Sequence, residues 1–253
     1  MILDNYVVVR NLFLTDNIFL LTVKAPEIAG KFQPGQFCNI KVSESLIPLL
    51  RRPFSVSDVR EDEISFMIAV TGEGTKILSL KKPGEHVNIL GPLGHGFKID
   101  KNFDLGIIVS GGIGIAPFPF LIKRLKDSGK EIVVFNGART SKELVKLNTE
   151  KEFISTDDGS EGFEGNVIEL LNSQKNILDG KKVKIFGCGP HPMLAGLQKF
   201  CARENIECEI SVESNMACGF GICQGCPVHS AKEDKYYLIC KDGPVFNSNE
   251  IIL

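Results

Sequence analysis

The sequence predicts a multi-domain chain: an antiparallel β-barrel, then an α/β domain built on a parallel sheet, then a small metal-binding module. Three observations lead there. Short β-prone segments separated by turn residues fill residues 1–99. Apolar strand patterns alternate with helical ones over residues 100–212. From residue 213 that alternation stops, and four cysteines fall within 218–240.

The barrel rests on strand patterns at 6–10, 17–24, 36–42, 54–59, 63–70 and 86–90, with turns marked at Pro34-Gly35, Pro83-Gly84 and Gly91-Pro92. Many short strands at close spacing, with little helical periodicity, suit a small closed antiparallel sheet. In the second region strands are expected at 105–110, 132–136, 153–156, 183–186 and 209–212. Helices are expected at 116–128, 141–147, 165–172 and 192–204. Strands alternating with helices imply parallel pairing with helices on both faces of the sheet.

Between Asp104 and Lys123 lie 18 uncharged residues, close to the length of a membrane span. The segment carries Gly106, Gly111, Gly112 and Gly114, then Pro117 and Pro119. A strand, a glycine turn and a helix start account for it better than a spanning helix. The N-terminus shows no basic leader followed by an apolar stretch and a cleavage site. No membrane association and a cytoplasmic location are therefore expected. The 253 residues are 43% hydrophobic and 24% charged, as in a globular protein with a sizeable core. With a formal net charge of -2 and no basic stripe, nucleic acid is not an expected partner.

The eight cysteines are the sharpest signal. In a reducing compartment, clustered cysteines point to metal and not to disulfides. Cys218, Cys223 and Cys226 have the spacing C-x4-C-x2-C, and Cys240 follows after thirteen residues. Three thiolates on one loop and a distant fourth match the plant-type [2Fe–2S] pattern. A four-cysteine zinc site is the alternative, although such sites usually combine two close pairs. Gly219, Gly221 and Gly225 let the loop turn and aim amides at the sulfurs. Cys38, Cys201 and Cys208 lack such grouping and are expected to be buried.

Four further motifs bear on cofactors. Arg51-Arg52-Pro53-Phe54-Ser55 offers a guanidinium for pyrophosphate, a ring to cover an isoalloxazine and a hydroxyl for a flavin polar atom. Gly72-Glu73-Gly74-Thr75 allows backbone amides to approach phosphate. Gly111-Gly112-Ile113-Gly114-Ile115-Ala116-Pro117 follows a strand and opens a helix, the setting of a dinucleotide phosphate turn. Gly187-Cys188-Gly189-Pro190 is a second turn at the same edge of the expected sheet. Taken singly, each also reads as an ordinary turn.

In this order the motifs resemble the ferredoxin–NADP reductase superfamily. Three more stretches extend the resemblance to the whole chain: Thr156-Asp157-Asp158-Gly159-Ser160, Glu213-Ser214-Asn215-Met216-Ala217-Cys218 and Cys240 to Phe246. The chain is similar to the electron-transfer subunits of type B dihydroorotate dehydrogenases. That resemblance implies an FAD barrel at 1–99, an NAD domain at 100–212 and a [2Fe–2S] module at 213–253. It carries FAD contacts to Arg52, Pro53, Phe54, Ser55, Ile68, Ala69, Val70, Gly74 and Thr75. It carries NAD contacts to Gly111, Gly112, Gly114, Cys188 and Gly189, and cluster ligation to Cys218, Cys223, Cys226 and Cys240. The strand 68–70 is apolar where family members often carry a polar or basic residue, so contacts there are expected from backbone.

The resemblance further implies a partner catalytic subunit with FMN, in a heterotetramer of two copies of each, serving pyrimidine synthesis. Electrons from dihydroorotate would pass through the cluster to FAD and then to NAD+ as hydride. No side-chain general base is expected in this chain. Arg139 is a possible partner for a 2′-phosphate, which leaves NAD against NADP open. A reductase subunit feeding a hydrogenase, a sulfide-linked oxidoreductase or a transhydrogenase shares the same motifs. A zinc-stabilised interaction module is the non-redox alternative.

Overall fold

The structure is a computed structural model that describes residues 1–253 except 44, 46 and 101. The first sheet has seven antiparallel strands: β1 (Ile2–Phe13), β2 (Ile18–Lys24), β3 (Phe37–Lys41), β4 (Arg52–Ser55), β5 (Asp58–Arg60), β6 (Glu63–Ala69) and β7 (His86–Leu93). Their order is β4-β3-β7-β1-β2-β6-β5. Consecutive strands β4 and β5 thus lie on opposite edges, joined by only Val56 and Ser57. That short link forces the sheet to curl. Val56 N–H donates to Gln36 carbonyl at one edge, and Ser57 N–H donates to Ser65 carbonyl at the other, 2.8 Å away. The single strand expected at 54–59 is therefore two strands with a crossing between the edges. The curl encloses Val8, Phe19, Leu21, Ile40, Ile64 and Phe66, with α1 (Pro26–Ala29) and α2 (Glu73–Ser79) at its ends.

The turn expected at Gly91-Pro92 lies inside β7. Gly91 pairs with Ile2, and the register slips between Phe37 and Asn39 on the neighbouring strand. Proline lacks a ladder donor, and a strand irregularity is where that loss is tolerated.

The second sheet runs β11-β10-β9-β8-β12-β13-β16. Its parallel strands are β8 (Leu105–Gly111), β9 (Glu131–Ala138), β10 (Glu152–Thr156), β11 (Phe163–Glu164), β12 (Val183–Cys188) and β13 (Glu207–Ser211). Helix α3 (Phe118–Asp127) covers one face through Phe118, Leu121 and Leu125 against Ile108, Val134 and Phe186. Helices α4 (Val167–Ser173) and α5 (His191–Glu204) cover the other through Leu170, Leu194, Leu197 and Phe200 against Ile107, Val109 and Ile185. Neighbouring residues Ile107 and Ile108 point to opposite faces, as the pleat requires. The stretch 104–123 is the predicted strand, turn and helix start, and among the described residues no helix is long and apolar enough to cross a membrane.

The helix expected at 141–147 is a single 3-10 turn, Ser141–Glu143. Side chains from the sheet hold the rest of that segment extended. Asn136 donates to the Val145 carbonyl at 2.8 Å, and the Glu152 carboxylate accepts from the N–H groups of Leu147 and Asn148. Backbone groups satisfied from outside have no need of a helix.

The C-terminal segment contains the hairpin β14 (Pro227–His229) and β15 (Tyr236–Leu238), the short helix α6 (Ile239–Asp242) and β16 (Val245–Asn247). Strand β16 pairs antiparallel with β13, so the chain's end closes the edge of the parallel sheet. Cys226, Ile239, Cys240 and Phe246 join the same apolar core as Ile210 and Val212. Two other ties orient the regions. His95 N–H donates to the Gly243 carbonyl at 2.6 Å. Lys184, 1% exposed, reaches the Lys98 carbonyl at 3.1 Å, Glu207 at 2.9 Å and Glu209 at 3.4 Å. Glu209 also accepts from Lys98 N–H at 2.9 Å, which pins the linker between the sheets.

Candidate functional site

The motifs meet at a cavity of about 260 Å³ between the two sheets. Pro53, Phe54 and Ser55 of β4 line one side, with Ile68, Ala69 and Thr75 beside them. Ile113, Ala116 and Pro117 line the opposite side, from the turn between β8 and α3. Parallel strands β8 and β12 are neighbours, with Ser110 opposite Cys188, so both glycine turns emerge at the same carboxyl edge. A Cβ at Gly114 would collide with the Cys188 carbonyl, so glycine alone lets the two turns pack. Gly111 and Gly189 approach the Met193 side chain, while the Gly112 backbone faces open space. The two turns thus gather Gly111, Gly112, Gly114, Cys188 and Gly189 at one edge of the sheet, but none of the five lines the cavity, and neither do Arg52, Val70 and Gly74.

The finer polar contacts are specific. The Arg51 guanidinium turns into the sheet and donates to the carbonyls of Asn39 and Asn88. Arg52 donates to the Leu50 carbonyl at 2.6 Å and stays partly exposed. The Thr75 hydroxyl is spent locally, accepting from the N–H groups of Thr71 and Gly72 and donating to the Gly72 carbonyl. It shapes the Gly72–Gly74 loop. Val70 N–H donates to the Asn17 carbonyl at 2.7 Å, and the Ile68 side chain lies in the barrel core at 1% exposure. Cys188 is buried, and burial pushes its thiol pKa far up, so it stays protonated. Arg139 is paired with Glu143 through two hydrogen bonds of 3.2 and 3.0 Å.

Sequence reasoning missed one wall. Ser211, Val212, Glu213, Ser214 and Met216 also line the cavity, together with Phe37 and Met67. Glu213 faces the open cavity, and desolvation by the surrounding walls raises its carboxyl pKa. The stretch from Glu213 to Cys218 stands out in the sequence as part of the resemblance, but its place on the cavity wall does not; the return of β13 to the barrel brings it there.

Met216 stands two residues before Cys218, so the cavity wall runs directly into the cysteine loop. Cys218 and Cys223 lie toward the surface, while Cys226 and Cys240 are buried with their sulfurs 3.3 Å apart. Burial raises the Cys218 pKa, but the Cys223 N–H, 3.4 Å from its sulfur, and those of Phe220 and Ile222 outweigh that, bringing it down to about 6. Amides aimed at sulfur favour thiolate, the form that binds iron. Cys240 goes the other way, to about 12, through burial and the neighbouring Cys226. Among the described residues no three His, Cys, Asp or Glu side chains converge as ligands of a single ion. A binuclear cluster takes its four thiolates two per iron, and this donor set has the chemistry for it. Cys38, Cys201 and Cys208 are buried, the first in the barrel core and the other two in the core beneath the parallel sheet.

Comparison with known proteins identifies two of these parts. Residues 213–252 match the family model for the iron–sulfur cluster binding domain of dihydroorotate dehydrogenase B, and residues 5–89 match an FAD-binding domain. The electron transfer subunit of dihydroorotate dehydrogenase B (NAD(+)) from Geobacillus thermodenitrificans is 36% identical, over 99% of this chain and 98% of that protein. The chain belongs to this family of electron transfer subunits. A further subunit so named, from Desulforamulus reducens, is 36% identical over 93% of each chain. Among solved structures, a chain of the NADH-dependent reduced ferredoxin-NADP oxidoreductase, described for flavin-based electron bifurcation, superposes with a TM-score of 0.87. It is 27% identical and covers 98% of this chain and 89% of its own. A ferredoxin NADP+ reductase from Neisseria gonorrhoeae with bound FAD and NADP shares the fold, with a TM-score of 0.67 at 15% identity, over 79% of this chain and 91% of its own. Barrel, parallel sheet and cysteine module are therefore the family's FAD, nicotinamide and cluster-binding parts.

Proposed function

We propose that this chain carries electrons from a dihydroorotate-oxidising subunit to NAD+. The observation that carries the reading is one continuous wall: Met216 lines the cavity beside Phe54 and Ser55, and Cys218 follows two residues later. When bound, FAD exchanges hydride with nicotinamide and single electrons with a [2Fe–2S] cluster, so it belongs between the two.

The chain's own residues place and shield these groups. Pro53, Phe54 and Ser55 form the flavin wall, and Arg52 stands at its entrance for the pyrophosphate. Ile68, Ala69 and Val70 support the flavin from the neighbouring strand, and Gly74 with Thr75 shape the phosphate loop. The turns at Gly111, Gly112 and Gly114 and at Cys188 and Gly189 direct a dinucleotide toward the same cavity. The Glu143 carboxylate beside Arg139 opposes a 2′-phosphate there and supports NAD over NADP. The buried, protonated Cys188 is a neutral wall and no base. Cys218, Cys223, Cys226 and Cys240 hold the cluster. Phe220, Ile222 and Cys223 are exposed on its outer side, at 37% and 76% for the first two, and form the face for the partner.

That partner is a catalytic subunit with FMN, two copies of each subunit assembling in the cytoplasm to make orotate for pyrimidine synthesis. The proposed units are 1–99 for FAD, 100–212 for NAD and 213–253 for the cluster. The likeness to the ferredoxin-NADP oxidoreductase chain supports a second reading, a subunit of another NAD(P)H-linked oxidoreductase such as a transhydrogenase. Reconstitution separates them. NADH-dependent orotate reduction should appear only when the FMN subunit is added. Reduction of ferredoxin or polysulfide by this chain without that subunit would favour the second reading.

A further inference from the structure

One buried polar side chain joins the cysteine loop to the flavin wall. Asn39 lies on β3 with an exposure of 0%. Its strand neighbours Cys38 and Ile40 point into the barrel core. By the alternation of a strand, Phe37 and Asn39 share the other face, one step of about 7 Å apart. Phe37 lines the cavity and pairs with Ser55. Asn39 pairs with Pro53, and its Nδ2 donates to the Cys218 carbonyl at 3.0 Å, across 179 residues of sequence.

The amide orientation is fixed by that bond, since the reverse would set two carbonyl oxygens against each other. The Asn39 Oδ1 is buried without a hydrogen-bond partner. Such an atom costs stability, and an apolar residue would remove the cost. The loop is cut to receive this side chain. Gly219 has a φ of +81°, and a Cβ there would collide with Asn39 Nδ2. No other glycine of the loop is shaped against the barrel: Gly221 faces Lys241 and Gly225 faces Cys223.

We propose that Asn39 is the positioning residue that holds the cluster loop in register with the flavin, and so sets the rate of one-electron exchange between them. The proposal rests on the flavin and cluster assignments above. It assigns Asn39 no chemistry; its amide fixes where Cys218 sits relative to Phe37, Pro53 and Ser55.

The test uses the full chain loaded with FAD and cluster, without its partner, mixed anaerobically with NADH. NADH passes two electrons and a proton to the flavin as hydride. Reduced flavin then gives one electron to the oxidised cluster, whose two ferric ions become one ferric and one ferrous. Flavin bleaching and the EPR signal of the reduced cluster separate the two steps. In Asn39→Ala, iron and flavin contents and the bleaching rate should match the unaltered chain. The cluster signal should rise roughly tenfold more slowly, the scale set by one buried hydrogen bond, with a shifted EPR spectrum. An unchanged rate with an unchanged spectrum overturns the proposal.

If Asn39→Ala fails to hold its cluster, Gly219→Ala reaches the same contact from the loop. It should slow cluster reduction on its own, and Asn39→Ser, which makes room for the added methyl, should recover part of the rate. Additive effects of those two changes contradict the proposal. An unaltered chain with neither flavin nor cluster signal would overturn the cofactor reading and this one with it. Normal signals with an indifferent Asn39 overturn this one alone.

Discussion

The parallel sheet and the cysteine loop adjoin one another and are held together by opposite means. The sheet runs on apolar strands, buried on both faces, whose shape follows from backbone pairing and from α3, α4 and α5. Residues 212–226 contain neither helix nor strand. Their path is fixed at a few points: the Val212 N–H on the Pro244 carbonyl, Cys218 on Asn39, and the Cys226 carbonyl on the Ile239 N–H. The sheet can hold its form without a ligand. The loop has three thiol groups, faced by Cys240 from α6, and little else to order it, so its stability should depend on the metal it binds.

That contrast is broken most severely at the cysteines. Cys223→Ser should abolish the cluster, measured as iron content and EPR signal. Hydrogen exchange should then accelerate across 213–226 and leave β8, β9 and β12 protected. NADH oxidation with an artificial dye should persist. Equal loss of protection in the sheet would erase the distinction between the regions.

The next largest effect belongs to the sheet. Lys184 is buried among Glu207, Glu209 and the Lys98 carbonyl. Lys184→Met leaves the Glu209 carboxylate in a buried site without its cation, at a cost of about 3 kcal/mol. Denaturant titration should show that loss, while the iron content stays unchanged.

Gly114→Ala acts at the edge of the sheet. The added methyl group presses on the Cys188 carbonyl and spreads the two glycine turns. The KM for NADH should rise about tenfold, equivalent to about 1.4 kcal/mol, with the cluster spectrum unaltered.

The smallest effect is a change in pH dependence. Desolvation by the cavity walls raises the Glu213 carboxyl pKa in the folded chain. The folded state therefore holds its proton more tightly than the unfolded one. Stability from this group is fully present below the ordinary glutamate value and is lost as pH climbs toward the raised one. In flavin-free protein, Glu213→Gln should remove that decline, which thermal melts across the acid range would register.

How much of this could be read from sequence follows the same division. The four cysteines and the glycine turns are legible because their chemistry depends on spacing along the chain. The strand–turn–helix at 105–127 is legible from apolar runs cut by glycine and proline. The place of Glu213, Ser214 and Met216 on the cavity wall and the Asn39–Cys218 bond are not legible, although the 213–218 stretch itself is, because each joins residues far apart in the chain. The 141–147 segment misleads because its helical pattern is overruled by Asn136 and Glu152, which are polar groups reaching out from the sheet. Strand β16 is hidden for a different reason: three residues are too few to carry a period, and its partner β13 supplies the pairing.

The central claim is that electrons enter at the cysteine loop and reach NAD+ only through it. The direct measurement is anaerobic mixing of this chain, assembled with its FMN subunit, with dihydroorotate in the absence of NAD+. In the unaltered complex the cluster signal should appear and the FAD should bleach. In the Cys223→Ser complex, FMN should be reduced while FAD stays oxidised. FAD bleaching at the unaltered rate in that variant would contradict the account.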